Sequence, residues 1–309
     1  MNRYKYSLEK HDTRVGKHIC PECKQRSFVK YVNSETNQYV DNSVGRCDRE
    51  VKCGYHLPPN EFLEAYGHFN GSQQVSQNIV QKAEKTKTSY MDIQTVEATI
   101  GQFGDNTFVK GLIDVFGEKD VMRAVQMYKL GTLEDQSDKI IFWQFDKQQN
   151  CRGGKVMSYN RETLKRGKEI TWMHTVLRMQ DFNLSQCLFG EHLIRTSHDH
   201  IIVVESEKSA IICSIVLPEY VWLATSGKSS GVKEKLAVLK DHKKVTLIPD
   251  IDATESWQQI INENKEIEKF TVNDYLDMVA TDEQRNLQFD IADFLLLERR
   301  NMHQEQISA

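Results

Sequence analysis

The chain has 309 residues, 39% hydrophobic and 27% charged, with a formal net charge of −4. That length accommodates two or three domains, the composition suits a soluble globular protein, and the lack of an apolar run of about 18 residues excludes a transmembrane helix. The N-terminus MNRYKYSLEKHD has no apolar h-region and does not read as a signal peptide, so a cytoplasmic chain is expected.

Four of the seven cysteines fall in the first 53 residues. An odd number of cysteines in such a chain argues against a disulfide framework, and Cys151, Cys187 and Cys213 read as packing residues. The stretch HICPECKQRSF…VGRCDREVKCGYH instead sets Cys20-x2-Cys23 ahead of Cys47-x5-Cys53. Thiolates on a tight CxxC turn hold one side of a tetrahedral Zn²⁺, and a second pair closes it. The five-residue gap is wide for a knuckle, which leaves His18 and His56 as substitutes for one ligand. Phe28, Val29, Tyr31 and Val32 supply ribbon strands between the pairs. A zinc ribbon is expected over 1–66, its folding coupled to metal.

The polar stretch over 67–90, without aromatics from 71 to 89, reads as a linker. Beyond it, Phe108, Leu112, Val115 and Phe116, then Val121, Ala124, Val125 and Tyr128, recur at helical spacing and predict two short helices. KIIFWQFD (139–146) and GKVMSYN (154–160) predict strands joined through a glycine-containing turn. These elements suggest a mixed α+β segment over 91–199. From residue 200 the texture becomes a regular alternation: HIIVVES, EKSAIICSIVL, YVWLATSG, VKEKLAVLKDH, VTLIPDID, ATESWQQIINENKEI, KFTVND and DIADFLLLERRNM. Strands alternating with helices of this length predict βαβ units and a parallel sheet over 200–309, making the chain α/β overall.

Functional groups in such sheets gather beyond the carboxyl ends of the strands. Glu205 ends one predicted strand, Asp250 and Asp252 end another, and all three are expected to share an edge. With Asp290 and Asp293 they form a carboxylate set without Cys or His partners, which suits Mg²⁺ or Mn²⁺ and phosphoryl-transfer chemistry. The bland alternative for Asp252 is a helix N-cap. Charge is uneven: residues 151–180 hold seven Lys/Arg against two Asp/Glu, and 250–300 hold thirteen Asp/Glu against five Lys/Arg. TSGKSSG (225–231) is not a phosphate-binding P-loop, because Trp222 stands where that loop needs glycine. HDH (198–200) reads as a surface turn.

IIVVESEKSAII, WLATSGKSSG, VTLIPDID and FDIADFL together resemble the toprim domain shared by topoisomerases and DnaG-type primases. The resemblance implies a Rossmann-like parallel sheet flanked by helices, with Glu205 as the family's strand-ending glutamate and Asp250 and Asp252 as its DxD. Asp290 and Asp293 resemble the downstream acidic motif of primases. Two positions depart from the pattern: Ser206 stands where glycine follows the glutamate, and ATES lacks the glycine expected after DxD.

A zinc ribbon ahead of a toprim domain resembles the layout of bacterial and phage primases. YKLGT, KIIFWQFDKQQNCRGGKVMSYN and QCLFGEHL are similar to the N-terminal part of a primase core. That likeness implies template contacts at Lys155, Arg161, Lys165, Arg166 and Lys168, and catalytic roles with Mg²⁺ or Mn²⁺ for Glu205, Asp250 and Asp252. It further implies single-stranded DNA and nucleoside triphosphates as partners, a separate helicase as another, and a setting in phage or mobile-element replication. Tyr31, Tyr39 and Tyr55 would be either stacking platforms or ribbon packing. Two other readings stay open, a toprim nuclease and a non-catalytic DNA-binding accessory.

Overall fold

The computed structural model describes residues 5–9, 17–49, 53–66, 88–101, 103–133, 136–196, 199–227 and 232–308. The greater part of the expected linker, 67–87, lies outside the described residues. The chain falls into two compact units, Met1–Ala83 and Glu84–Ala309.

The first unit is built on β1 (Tyr6–Leu8), β2 (His18–Ile19), β3 (Arg26–Asn33), β4 (Gly45–Cys47), β5 (His56–Leu57) and α1 (Pro59–Tyr66). The five strands form one antiparallel sheet around the long β3. Its innermost cluster is Cys20, Phe28 and Cys47, with Cys23, Cys53 and Tyr55 packed against it. Val29 and Val44 are buried beside it, and the core is still very small.

The second unit opens with α2 (Ile93–Glu97), α3 (Thr107–Phe116) and α4 (Glu118–Met127). Asn106 starts α3 by accepting the amides of Phe108 and Val109. Its side-chain amide donates to Thr132 Oγ1 and the Lys139 carbonyl, so one buried cap also ties the helix to the following sheet. That sheet runs in the order β6 (Gly131–Leu133), β7 (Gln136–Phe145), β8 (Cys151–Tyr159), β9 (Arg166–Trp172), all antiparallel. Gly154 is required where β8 crosses Trp143, since a Cβ there would meet the indole ring at 2.5 Å. A short helix α5 (Met173–Val176) and a 3₁₀ turn (Glu191–Leu193) lead into the alternating segment.

The alternation becomes β10 (His200–Val204), α6 (Glu207–Val216), β11 (Val221–Ala224), α7 (Val232–Ala237), β12 (Lys244–Leu247), α8 (Thr254–Asn262), β13 (Thr271–Val272), α9 (Tyr275–Val279), α10 (Asp282–Asn286) and α11 (Ile291–Ser308). The four strands are parallel in the order β11-β10-β12-β13, as their buried apolar runs require. Ile201, Val203, Leu223, Val245 and Leu247 face Leu236, Trp257 and Ile261 of α7 and α8. Ile202, Val204, Trp222 and Ala224 face the opposite way, into a core with α6 and α11. That second core also holds Phe108, Leu112, Ile140, Phe142 and Tyr159, so the expected segments 91–199 and 200–309 share one continuous interior. No helix among the described residues is long and apolar enough to cross a membrane.

A short backbone pairing helps fasten the antiparallel half to the parallel sheet. Phe189 exchanges both backbone hydrogen bonds with Ala224 on the outer edge of β11, at 2.9 and 3.0 Å. Gly190 follows at φ 83°, where a Cβ would meet the Tyr128 ring at 2.9 Å. Nearby, His192 Nε2 donates to the Met127 carbonyl at 3.1 Å, which sets the tautomer of the neutral ring. Burial pushes its pKa from 6.5 down to about 4. The folded value lies below the unfolded one, so its stability contribution is fully present above pH 6.5 and lost as pH falls through about 4. Up to about 3 kcal/mol is expected to disappear across that window. Urea midpoints measured from pH 7 to pH 4 should show this slope in the native chain and a shallower one in His192→Gln, whose amide can keep the bond to Met127.

Candidate functional site

Two arrangements carry chemistry, one in each unit. In the first, Cys20, Cys23, Cys47 and Cys53 bring their Sγ atoms within 4.8 Å of one another. Cys20 and Cys53 sulfurs lie 3.6 Å apart, and those of Cys23 and Cys47 lie 3.9 Å apart. Zinc–thiolate bonds of about 2.3 Å put the corners of a tetrahedron about 3.8 Å apart, so the four sulfurs fit Zn²⁺ in both chemistry and spacing.

The backbone explains why the sulfurs converge. Over Cys20–Gln25 the chain reverses, with Cys20 N donating to Gln25 O, Lys24 N donating to Cys20 O, and Lys24 at φ 57°. The wide second pair closes because Cys53 N and Gly54 N both return to Arg49 O, with Gly54 at φ 67°. The Gln25 amide holds the Cys23 thiol down to about 6, whereas burial pushes Cys53 up to about 12. Ser27 Oγ lies 3.2 Å from Cys47 Sγ and supports that ligand from outside.

The two histidines considered as substitutes are engaged elsewhere. His18 Nε2 sits 2.9 Å from Glu9, and His56 Nε2 pairs with Tyr31 OH at 3.1 Å. Of the tyrosines, Tyr55 packs edge-on against Phe28 and donates to Ser43 O. Tyr39 is more open but bonds Glu9 and lies beneath Lys30.

The second arrangement is the carboxyl edge of the parallel sheet. Glu205 follows β10 directly and is buried, with Oε1 accepting the Asp250 amide at 3.2 Å beyond the end of β12. Strands β10 and β12 are neighbours, yet α6 packs on one face of the sheet and α8 on the other. The chain therefore parts at this point, which opens the crevice where ligands of open α/β sheets bind. Ser206, at the glycine position of the resemblance, has φ −107° and caps α6 through the Ser209 amide. No glycine is needed for that geometry.

Asp252 is exposed at φ 65°, a left-handed conformation that Asp tolerates better than most residues. It does not cap α8, whose N-cap is Ala253. Its amide donates to Asp277 Oδ1 at 2.7 Å and its carboxylate pairs with Arg285 at 2.7 Å. Three hard oxygen donors from two adjacent strand ends suit Mg²⁺ or Mn²⁺ by their chemistry. Among the described residues no carboxylate trio has its oxygens within 4.8 Å of one another, so this edge is open, unlike the cysteine site.

Asp290 and Asp293 are committed differently. Each accepts the other's amide at the start of α11, and both pair with Lys208 in the first turn of α6. Asp290 also accepts Ser209 Oγ at 3.0 Å. This geometry makes them a helix cap and the countercharge of a buried lysine, rather than the open cation ligands expected from sequence.

Lys155 also departs from expectation. It is 8% exposed, and its ammonium bonds Glu207 at 3.1 Å and the Ser226 carbonyl at 3.0 Å, which removes it from any template surface. Arg161 is exposed but forms a bidentate pair with Asp114. Lys165, Arg166 and Lys168 are exposed around the β8–β9 turn and have no ion pair among the described residues. Glu207 and Arg285 were not singled out in the sequence. Glu207 looks like an ordinary first-turn acid, and no local signal marks the partner of either.

Residues 4–67 match a family described as a zinc beta-ribbon finger. Residues 106–251 match a family described as a domain of unknown function, DUF6371, a span that runs from the cap of α3 past Asp250. No curated protein matches the chain. Among solved structures, the chain is similar to the RNA polymerase domain of Mycobacterium tuberculosis primase DnaG, at 11% identity and a TM-score of 0.41, covering 67% of this chain and 80% of that one. It is similar to the zinc-binding and RNA polymerase domains of Aquifex aeolicus primase, at 12% identity and a TM-score of 0.33, covering 91% and 79%. A third similarity is to a chain from the bacteriophage T7 lagging-strand DNA polymerase with primase domains of two gp4 subunits bound to an RNA/DNA hybrid and dTTP. There the identity is 16% and the TM-score 0.38, covering 57% and 84%.

Proposed function

We propose that the chain is a primase-like nucleotidyltransferase that makes short RNA primers on single-stranded DNA. The observation that supports this reading best is the join of Glu205 to Asp250 at the crevice between β10 and β12. Glu205, Asp250 and Asp252 would hold Mg²⁺ or Mn²⁺. Such an ion, when bound, supplies charge neutralisation for phosphate oxygens. The protein's own part is positional: the buried Glu205 carboxylate orients the Asp250 backbone, and the rigid sheet edge holds both strand ends in one place. Lys165, Arg166 and Lys168 would contact template phosphates, making affinity salt-dependent, and the zinc ribbon would grip the single strand. Asp290, Asp293 and Lys155 are left outside this assignment. A separate helicase as partner, the cytoplasm as location and a mobile element or phage as context belong to the same proposal.

Incubation with single-stranded DNA, labelled nucleoside triphosphates and Mg²⁺ or Mn²⁺ is expected to yield labelled oligomers. Glu205→Gln and Asp250→Asn should each reduce the yield by about a hundredfold or more, because each removes a charge that acts on the reacting phosphates. Shortened template would indicate a nuclease, and retention of DNA without product a binding module. Undiminished primer synthesis in Asp250→Asn would overturn the site.

A further inference from the structure

The segment after β13 is joined to the carboxylate edge by an unusual set of contacts. Arg285 Nη1 pairs with Asp252 Oδ1 at 2.7 Å, while Nη2 of the same guanidinium donates to the Asp277 carbonyl. Asp277 in turn accepts the Asp252 amide through Oδ1 at 2.7 Å, and Arg285 Nη1 lies 4.0 Å from that same oxygen. One guanidinium thus bridges the second carboxylate of PDID and the end of α9.

Little else anchors this region. Helix α10 buries no residue, and α9 buries Leu276 alone. Tyr275, Met278 and Leu287 are all more than half exposed. Elements with so few buried apolar contacts sit at the low end of local stability, where one polar grip matters most.

We infer that Arg285 is the resident countercharge of Asp252, and that a divalent cation competes with it for that carboxylate, which sets the cation affinity of the edge and loosens residues 275–287. The inference rests on the cation reading of Glu205, Asp250 and Asp252 given above. Arg285 holds Oδ1 of Asp252 at 2.7 Å, so a cation ligated by this carboxylate meets a guanidinium charge beside it. Bringing a second positive charge to the same carboxylate therefore weakens the pair. Because Asp252 is exposed and screened by solvent, the pair is weak enough to be exchanged.

The test uses the full zinc-loaded chain. Mn²⁺ is titrated into native protein, Arg285→Gln and Asp250→Asn, with free Mn²⁺ followed by electron paramagnetic resonance. Amide hydrogen exchange of residues 275–287 is followed in native protein with and without Mn²⁺. Arg285→Gln is expected to bind Mn²⁺ about fivefold more tightly, and Mn²⁺ is expected to speed exchange across 275–287 in native protein. Faster exchange separates a loosened segment from a mere change in electrostatic field, and needs no variant to fold. Unchanged affinity in Arg285→Gln, or unchanged exchange in native protein, overturns the inference alone. Native protein that binds no Mn²⁺, or Asp250→Asn that binds it equally well, overturns the cation reading beneath it.

Discussion

Removing zinc should unfold the first unit and leave the second folded. The reason lies in the interior of that unit, where Phe28 is enclosed by Cys20 and Cys47 with Cys23, Cys53 and Tyr55 around them. Burying so few apolar side chains is far from offsetting the conformational entropy of ordering this unit. Metal–thiolate bonding supplies folding free energy that so small a core lacks. Burial raises the thiols of Cys20 and Cys53, so zinc must displace their protons and its hold weakens as pH falls. Chelation, or the pair Cys47→Ser and Cys53→Ser, is therefore expected to release one zinc per chain. Amide resonances of residues 17–57 should collapse to unfolded positions while those of 84–309 hold theirs. Retained dispersion over 17–57 after zinc release would remove the metal from the folding of this unit.

The second large effect is expected at Lys155 and Glu207. Their side chains are 10% and 1% exposed, and the ammonium lies 3.1 Å from the carboxylate. Breaking a buried pair from one side leaves a charge without its partner in a poorly solvated place, at a cost of about 3–5 kcal/mol. Glu207→Leu should lose that much in urea denaturation of residues 84–309. Lys155→Met with Glu207→Leu should recover most of it, because two apolar groups replace two desolvated charges. A single Glu207→Leu within about 1 kcal/mol of native would show that the pair is relieved by solvent. Its position also gives it functional weight. It fastens β8 to the first turn of α6, two residues past Glu205, and through the Ser226 carbonyl to the loop after β11.

These two sites divide what could be read from sequence from what could not. The cysteine pairs were legible because zinc imposes its spacing on the chain, and local turns build that spacing. The alternation from HIIVV onward was legible because strands buried on both faces are written as continuous apolar runs, and it placed Glu205 beside Asp250. Strand β9, RGKEITW, was missed because it pairs along an edge and carries few buried residues. Helix α10 was missed although Thr281-x-x-Gln284 is a capping box and forms as one. Within the basic run from Lys155 to Lys168 the environment of each residue was not legible, since charge in sequence is silent about burial. Only the fold reveals that Lys155 points inward to Glu207 while Lys165 and Lys168 stay in solvent. The ion pair of Asp252 with Arg285 spans 33 residues, beyond any local pattern.

The short pairing of Phe189 with Ala224 has a consequence for how copies of this chain meet one another. Strand β11 is the outer strand of the parallel sheet and reads VWLA, a sequence well suited to recruit a strand from another molecule. Phe189 occupies both hydrogen-bonding groups of Ala224, and its ring stacks on Tyr128, whose hydroxyl bonds the Trp222 carbonyl. The segment that joins the two halves thus also shields this edge, satisfying from within the chain the backbone groups at which edge-to-edge aggregation would begin.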